Sequence, residues 1–195
     1  STGIVELDGE WVTRIVEKPD EPISRLANIG LYYIRDRELL FKGIDVALDS
    51  PPGPSGEFYL TDAFQYMVDQ GSRILTAPVE GWYDCGKPET LLQTNEHLLT
   101  TDRGWISPSA SVEGSTLGET VRLEDGVVLD GSTLRSNVTV EEGARVVNSS
   151  LRSCIVGPHA VIENSVLRNS LIGGHARVRG FDGSLSVLDH SVVLS

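Results

Sequence analysis

"VIENSVLRNSLIGGHARV", Val161 to Val178, places aliphatic residues at 162, 167, 172 and 178, with small or amide residues such as Asn164 and Gly173 between them. An α-helix repeats its apolar face every 3.6 residues and a half-buried strand every two, so steps of five or six fit neither. The same steps run back through Leu117, Leu123 and Leu129, then Leu134, Val140 and Val146, then Leu151 and Val156. On a longer period, Ala110, Val127, Ala144, Ala160 and Ala176 are equivalent, separated by 17, 17, 16 and 16 residues. Such self-similarity marks stacked repeats, in which neighbouring coils bury a core that none could form alone.

Three short strands per coil, each turning one aliphatic residue inward, describe a triangular parallel β-helix over residues 104–195, with Ser115, Gly126, Ser149, Asn164 and Gly173 near its corners. The plainer alternative is an irregular β-sandwich. The tail "GSLSVLDHSVVLS", Gly183 to Ser195, reads as a last partial coil or a cap.

Residues 1–103 follow another rhythm. "IVELDGEWVTRIV" reads as a β-hairpin turning at Asp8-Gly9. "ANIGLYYI" carries an apolar run, Ile29 to Ile34, consistent with a buried strand. "DRELLFKGIDVAL" has helical spacing with only weak capping, and "DSPPGPSGE" must be a loop. "LTDAFQYMVDQG" predicts a helix with Thr61 as N-cap and Gly71 as its end. "SRILTAPVEGWYDCG" reads as a strand with its exit turn. Pro88 then opens a helix whose apolar stripe is Leu91, Leu92, Leu98 and Leu99.

The chain carries 28 acidic and 16 basic side chains, a formal net charge of -12. Its summed field would repel nucleic acid or an anionic membrane surface, while leaving room for small phosphorylated ligands held by a lysine or a bridging cation. No apolar run reaches the length of a membrane span and no signal segment opens the sequence, so a cytoplasmic address is expected. Cys85 and Cys154 form no disulfide framework and no C-x-x-C motif.

Four motifs in order, "VEKP" (Val16 to Pro19), "ANIGLYYI" (Ala27 to Ile34), "GEFYLTDA" (Gly56 to Ala63) and "GWYDCGKPETLLQTN" (Gly81 to Asn95), resemble the sugar-1-phosphate nucleotidyltransferases. They resemble especially the long, glucose-1-phosphate thymidylyltransferase-like form with a C-terminal left-handed β-helix. The resemblance implies an α/β fold, the C-terminal portion of a Rossmann-like nucleotidyltransferase domain, followed by a left-handed parallel β-helix of hexapeptide repeats. It also implies attack of a sugar 1-phosphate on the α-phosphorus of a nucleoside triphosphate (dTTP or UTP), with Mg2+ offsetting charge.

By the same resemblance, Lys18 contacts the sugar phosphate, Glu17 the sugar hydroxyls, and Asn28, Gly30, Glu57 and Trp82 line the substrate pocket. Asp84 in "GWYDCG" matches the metal-ligating aspartate. Plainer readings stand beside each: an exposed lysine at a strand end, a strand-entry glycine, an aspartate before a glycine turn. Asp62 can simply favour the start of its helix.

The family's glycine-rich nucleotide loop and first metal aspartate have no counterpart in these 195 residues, so the expectation is a fragment lacking the N-terminal nucleotide-binding part, inactive by itself. Ser55 stands where thymidylyltransferases commonly carry arginine, and Cys85 where they carry threonine. Left-handed β-helices also occur in acyltransferases, making a bifunctional uridylyltransferase/acetyltransferase the alternative, with a regulatory or assembly subunit as a third reading. His159 and His175 are candidate bases there, but their equivalent positions look like a stacked surface column. A homo-oligomer formed through the β-helix is expected.

Overall fold

The computed structural model describes residues 3–21, 23–53 and 56–195. It divides into two compact units, Ser1–Trp82 and Tyr83–Ser195.

In the first unit, β1 (Ile4–Asp8) and β2 (Trp11–Val16) form the expected hairpin, and β3 (Leu26–Ala27) pairs with β1 to give the order β2-β1-β3. The loop between paired Asp8 and Trp11 is Gly9-Glu10, and Gly9 has φ +61°, the conformation a tight hairpin turn requires at its first position. Helices α1 (Arg37–Asp49) and α2 (Leu60–Asp69) pack together and close the unit. Its core is Val5, Val12 and Ile15 of the hairpin against Phe64 and Met67 of α2. The Asp36 carboxylate accepts from the Leu39 N–H at 3.0 Å, a better cap for α1 than its sequence promises.

Three expectations are corrected. Ile29–Ile34 forms no strand: beyond Ala27 none of the described residues pairs with it, and Leu31 and Tyr33 are exposed. The "SRILTAPVE" segment contributes only an isolated bridge between Leu75 and Trp11. Thr61 is not the N-cap of α2. Tyr59 occupies that position without a side-chain hydrogen bond, and Thr61 lies buried in the first turn. Pro54 and Ser55 of the proline-rich loop lie outside the described residues.

The second unit begins with the "GWYDCG" turn and helix α3 (Pro88–Thr101), which has Pro88 at its start as expected. The rest is the left-handed parallel β-helix. One face stacks Val121–Leu123, Val138–Val140, Cys154–Val156 and Ser170–Ile172 in parallel register. The next stacks Ser111–Glu113, Val128–Asp130, Arg145–Val147, Val161–Glu163, Arg177–Arg179 and Val192–Leu194. A third stacks Thr116–Leu117, Thr133–Leu134, Ser150–Leu151 and Val166–Leu167.

Every aliphatic residue of the repeat from Leu123 to Val178 is buried, and Val127, Ala144, Ala160 and Ala176 are sealed at a corner. The tail adds a further coil rather than a separate cap. Corners turn through left-handed backbone, occupied by glycines and by Asn148, Asn164, His159 and His175. Asn is tolerated there because its short polar side chain bonds locally.

α3 docks on the coils. The Asn95 side chain donates to the Asn137 carbonyl and accepts from the Thr139 hydroxyl, while Leu99 is buried. The α/β portion followed by a β-helix is the expected fold class.

Candidate active site

The first unit holds two neighbouring groups of candidate residues just beyond the end of β2. Lys18 reaches Glu57, with Nζ 3.0 Å from Oε2, and its ammonium lies 5.0 Å from the centre of the Tyr59 ring. The Tyr59 hydroxyl donates to the same Glu57 carboxylate at 3.1 Å. The Glu57 hydrogen bond holds the Lys18 pKa above its ordinary value, so the side chain stays cationic. Lys18 also has φ +45°, costly for a side chain other than glycine and more so before Pro19. Its neighbours hold it there, with the cation against an acid and an aromatic face.

The second group surrounds Gly3. A Cβ at Gly3 would lie 2.9 Å from Glu17 Oε2, 3.1 Å from Thr61 Cγ2 and 3.5 Å from Asn28 Nδ2, so these three side chains gather closely around the glycine. The Gly3 carbonyl accepts from the Asn28 N–H at 2.8 Å. Asn28 also donates to the Tyr32 hydroxyl, and its Oδ1 accepts from the Gly30 N–H at 2.9 Å. Gly30 has φ +83° and open space where a Cβ would stand, so backbone conformation, not crowding, selects glycine. Thr61 Oγ1 is buried with no hydrogen-bond partner, a costly state for a hydroxyl. Reading Thr61 as a cap concealed it, and only the folded chain brings it beside Glu17 and Asn28. Tyr59 and Tyr32 were likewise not singled out.

Trp82, at the end of this unit, is half exposed, as is Tyr83. Asp84 lies in the second unit, where its Oδ1 accepts from the Gly86 N–H at 2.9 Å, the hydrogen bond of an Asx turn. The loop is fastened to α3 by the Tyr83 ring stacked on His97 at 4.2 Å and by Cys85 against Thr94 Oγ1 at 3.5 Å. Among the described residues, no three His, Cys, Asp or Glu side chains gather closely enough to hold a metal ion. Asp84 therefore fits Mg2+ only as a single carboxylate ligand, an arrangement this cation accepts when phosphates and waters supply the rest.

His159 and His175 do form a column at one corner, with ring centres 5.0 Å apart, and His190 extends it at 4.8 Å. The sequence reading missed His190 because the last coil is shorter.

Residues 1–101 match the family described as Nucleotidyl transferase. The chain belongs to the nucleotidyl transferase family. This corrects the expectation of a fragment lacking the N-terminal nucleotide-binding part, because residues 1–101 themselves match the family. Among similar proteins, the low-salt glycan biosynthesis nucleotidyltransferase Agl11 of Haloferax volcanii is 38% identical over 118 residues, covering 57% of this chain and 32% of that protein. A glucose-1-phosphate thymidylyltransferase of Streptomyces antibioticus is 33% identical, covering 50% and 26%. A bifunctional sugar-1-phosphate nucleotidylyltransferase/acetyltransferase of Sulfurisphaera tokodaii is 29% identical, covering 60% and 29%. This nucleotidyl transferase chain thus spans about a third of the length of the curated relatives it matches. Among its described residues no helix is long and apolar enough to cross a membrane.

Proposed function

We propose that the protein transfers a nucleotidyl group from dTTP or UTP to a sugar 1-phosphate, with glucose 1-phosphate the first candidate. The observation that carries this reading is the strained, cationic Lys18 next to Glu17, whose carboxylate gathers with Asn28 and the Thr61 methyl around Gly3, the Thr61 hydroxyl being buried without a partner. Lys18 neutralises the sugar phosphate as a compact charge, exchanging Glu57 for it on binding. Glu17 and Asn28 accept and donate to sugar hydroxyls, and Thr61 gains the partner that its burial lacks. Gly30 shapes the Asn28 turn, while Glu57 and Trp82 border the substrate. Mg2+ held in part by Asp84 supplies charge compensation on the triphosphate. A homo-oligomer through the β-helix and a cytoplasmic address complete the reading.

A second reading has support of its own. The resemblance to a bifunctional nucleotidylyltransferase/acetyltransferase favours an additional acetyl transfer by the β-helix, with the histidine column offering imidazoles as bases.

Calorimetric titration of glucose 1-phosphate tests the sugar site directly. Binding should weaken about tenfold or more in Lys18→Ala and clearly in Thr61→Val. Equal affinity in wild type and both variants refutes the site. Pyrophosphate release from dTTP and UTP with Mg2+ then ranks the nucleotides, and acetyl-coenzyme A consumption separates the second reading from the first.

A further inference from the structure

Helix α3 is engaged on two faces. Thr90, Thr94 and His97 are spaced i, i+4 and i+7 and share one face, whereas Asn95 and Leu99 share another about 100° further round the axis. The first face meets the "YDCG" loop. The Lys87 N–H donates to Thr90 Oγ1 at 3.3 Å, the Cys85 thiol donates to Thr94 Oγ1 at 3.5 Å, and the Tyr83 ring stacks on His97 with 21° between the planes. The Thr94 hydroxyl itself donates to the Thr90 carbonyl at 2.9 Å, which leaves its oxygen to accept from Cys85. The second face meets the coils. The Asn95 amide donates to the Asn137 carbonyl at 3.3 Å and accepts from the Thr139 hydroxyl at 2.6 Å. Of the 14 residues of α3, Leu99 alone is buried. A helix this short is marginal by itself and takes its place from what it docks on, so the Asn95 hydrogen bonds fix its roll and its height on the coils.

Asp84 stands between Tyr83 and Cys85, both of which are tied to α3. Its Oδ1 is committed to the Gly86 N–H, and its Oδ2 has no partner among the described residues. A lone carboxylate ligand contributes through the oxygen that it leaves free, so the direction of that oxygen decides how well a cation is held. That direction follows the loop, the loop follows α3, and α3 follows the coils.

We infer that the β-helix orients the free oxygen of Asp84 through α3, with Asn95 and Thr139 as positioning residues on the coil side and Thr94 and His97 on the loop side. This rests on the reading of Asp84 as a ligand of Mg2+ and adds to it the route by which the coils serve that site. Every link lies within the second unit, Tyr83–Ser195. None of these positioning side chains touches the cation. They act as the outer partners of a metal ligand do, and losing such a partner lowers metal affinity about tenfold to a hundredfold.

Paramagnetic broadening of the histidine ring resonances by Mn2+, followed by NMR on the full 195-residue chain, tests it. Mn2+ takes the same oxygen ligands as Mg2+. The four histidines divide into His97, beside the loop, and the column His159, His175 and His190, whose unshifted resonances show that the coils stay folded in each variant. His97→Phe assigns the reporter by removing its signal. In the wild type Mn2+ should broaden His97, and Asp84→Asn should abolish that broadening. Asn95→Ala should cut the broadening per Mn2+ added about tenfold. Thr139→Val should act in the same direction, whereas Thr139→Ser, which keeps the hydroxyl, should match the wild type. Unchanged His97 broadening in both Asn95→Ala and Thr139→Val overturns the positioning role and leaves Asp84 standing as a metal ligand. A loss in Thr139→Ser as large as in Thr139→Val overturns the hydrogen-bonded route. No broadening in the wild type, or broadening that survives Asp84→Asn, overturns the metal reading and this inference with it.

Discussion

Gly43 sits in the middle of α1, where glycine costs roughly 1 kcal/mol relative to alanine, and it is the buried residue of that helix. A Cβ there would lie 2.8 Å from the Ala63 carbonyl oxygen, 3.1 Å from Ala63 Cα and 3.2 Å from the Tyr66 ring. Two effects oppose each other in Gly43→Ala. Helix propensity stabilises by about 1 kcal/mol, whereas forcing α2 back from a close backbone contact costs about 1–3 kcal/mol. The obstruction is backbone, which cannot rotate away like the end of a long side chain, so overlap should win. We expect a net loss of about 1 kcal/mol, and about 3 kcal/mol for Gly43→Val, which adds volume and branching. Hydrogen exchange by mass spectrometry on the peptides of α1 and α2 reads this directly, alongside urea unfolding by circular dichroism. If Gly43→Ala slows exchange and stabilises the chain by about 1 kcal/mol, the close approach of the two helices is refuted.

Leu151 is fully buried between Leu134 and Leu167 of adjacent coils, so Leu151→Ala should cost about 2–5 kcal/mol in chemical denaturation, with faster exchange in both neighbouring coils. Hydroxyls of Ser107 and Ser109 hold the Asp125 pKa below its ordinary value, which contributes stability above the unfolded carboxylate range that is lost as pH falls through the folded one. The stability gap between Ser107→Ala and wild type in urea unfolding should therefore narrow as pH falls from 7 to below the ordinary carboxylate range; a gap that stays constant removes Asp125 from the account. Cys154 is buried, and that burial raises its thiol pKa, while Cys85 is exposed. Ellman's reagent should titrate one thiol promptly in the folded chain and two in denaturant.

The β-helix was legible because each of its contacts recurs one coil away, so a fixed spacing in sequence is a fixed contact in space. Leu134, Leu151 and Leu167 could be stacked on paper before any coordinates. The first unit was less legible for the converse reason. An apolar run such as Ile29–Ile34 records a capacity for burial, not the presence of a pairing strand, and Leu31 and Tyr33 stand exposed. Thr61 fitted a capping pattern, but the N-cap of helix α2 is Tyr59, two residues earlier, and the Thr61 hydroxyl is buried in the first turn. The Lys18–Glu57 contact joins residues 39 apart, beyond any local rule, and only the family resemblance selected both. Asp84 was legible as a turn residue from its Gly86 neighbour alone.

Asn95 grips two backbone levels of the β-helix, through the Asn137 carbonyl and the Thr139 hydroxyl. A chimera spliced where the sequence rhythm changes, near residue 103, would give α3 a foreign β-helix and leave the Asn95 amide without its acceptor and donor. Splicing ahead of Tyr83 would instead carry the aspartate loop, its helix and the coils as one cassette. The natural seam for recombination or for domain grafting lies there, on the near side of the "YDCG" motif.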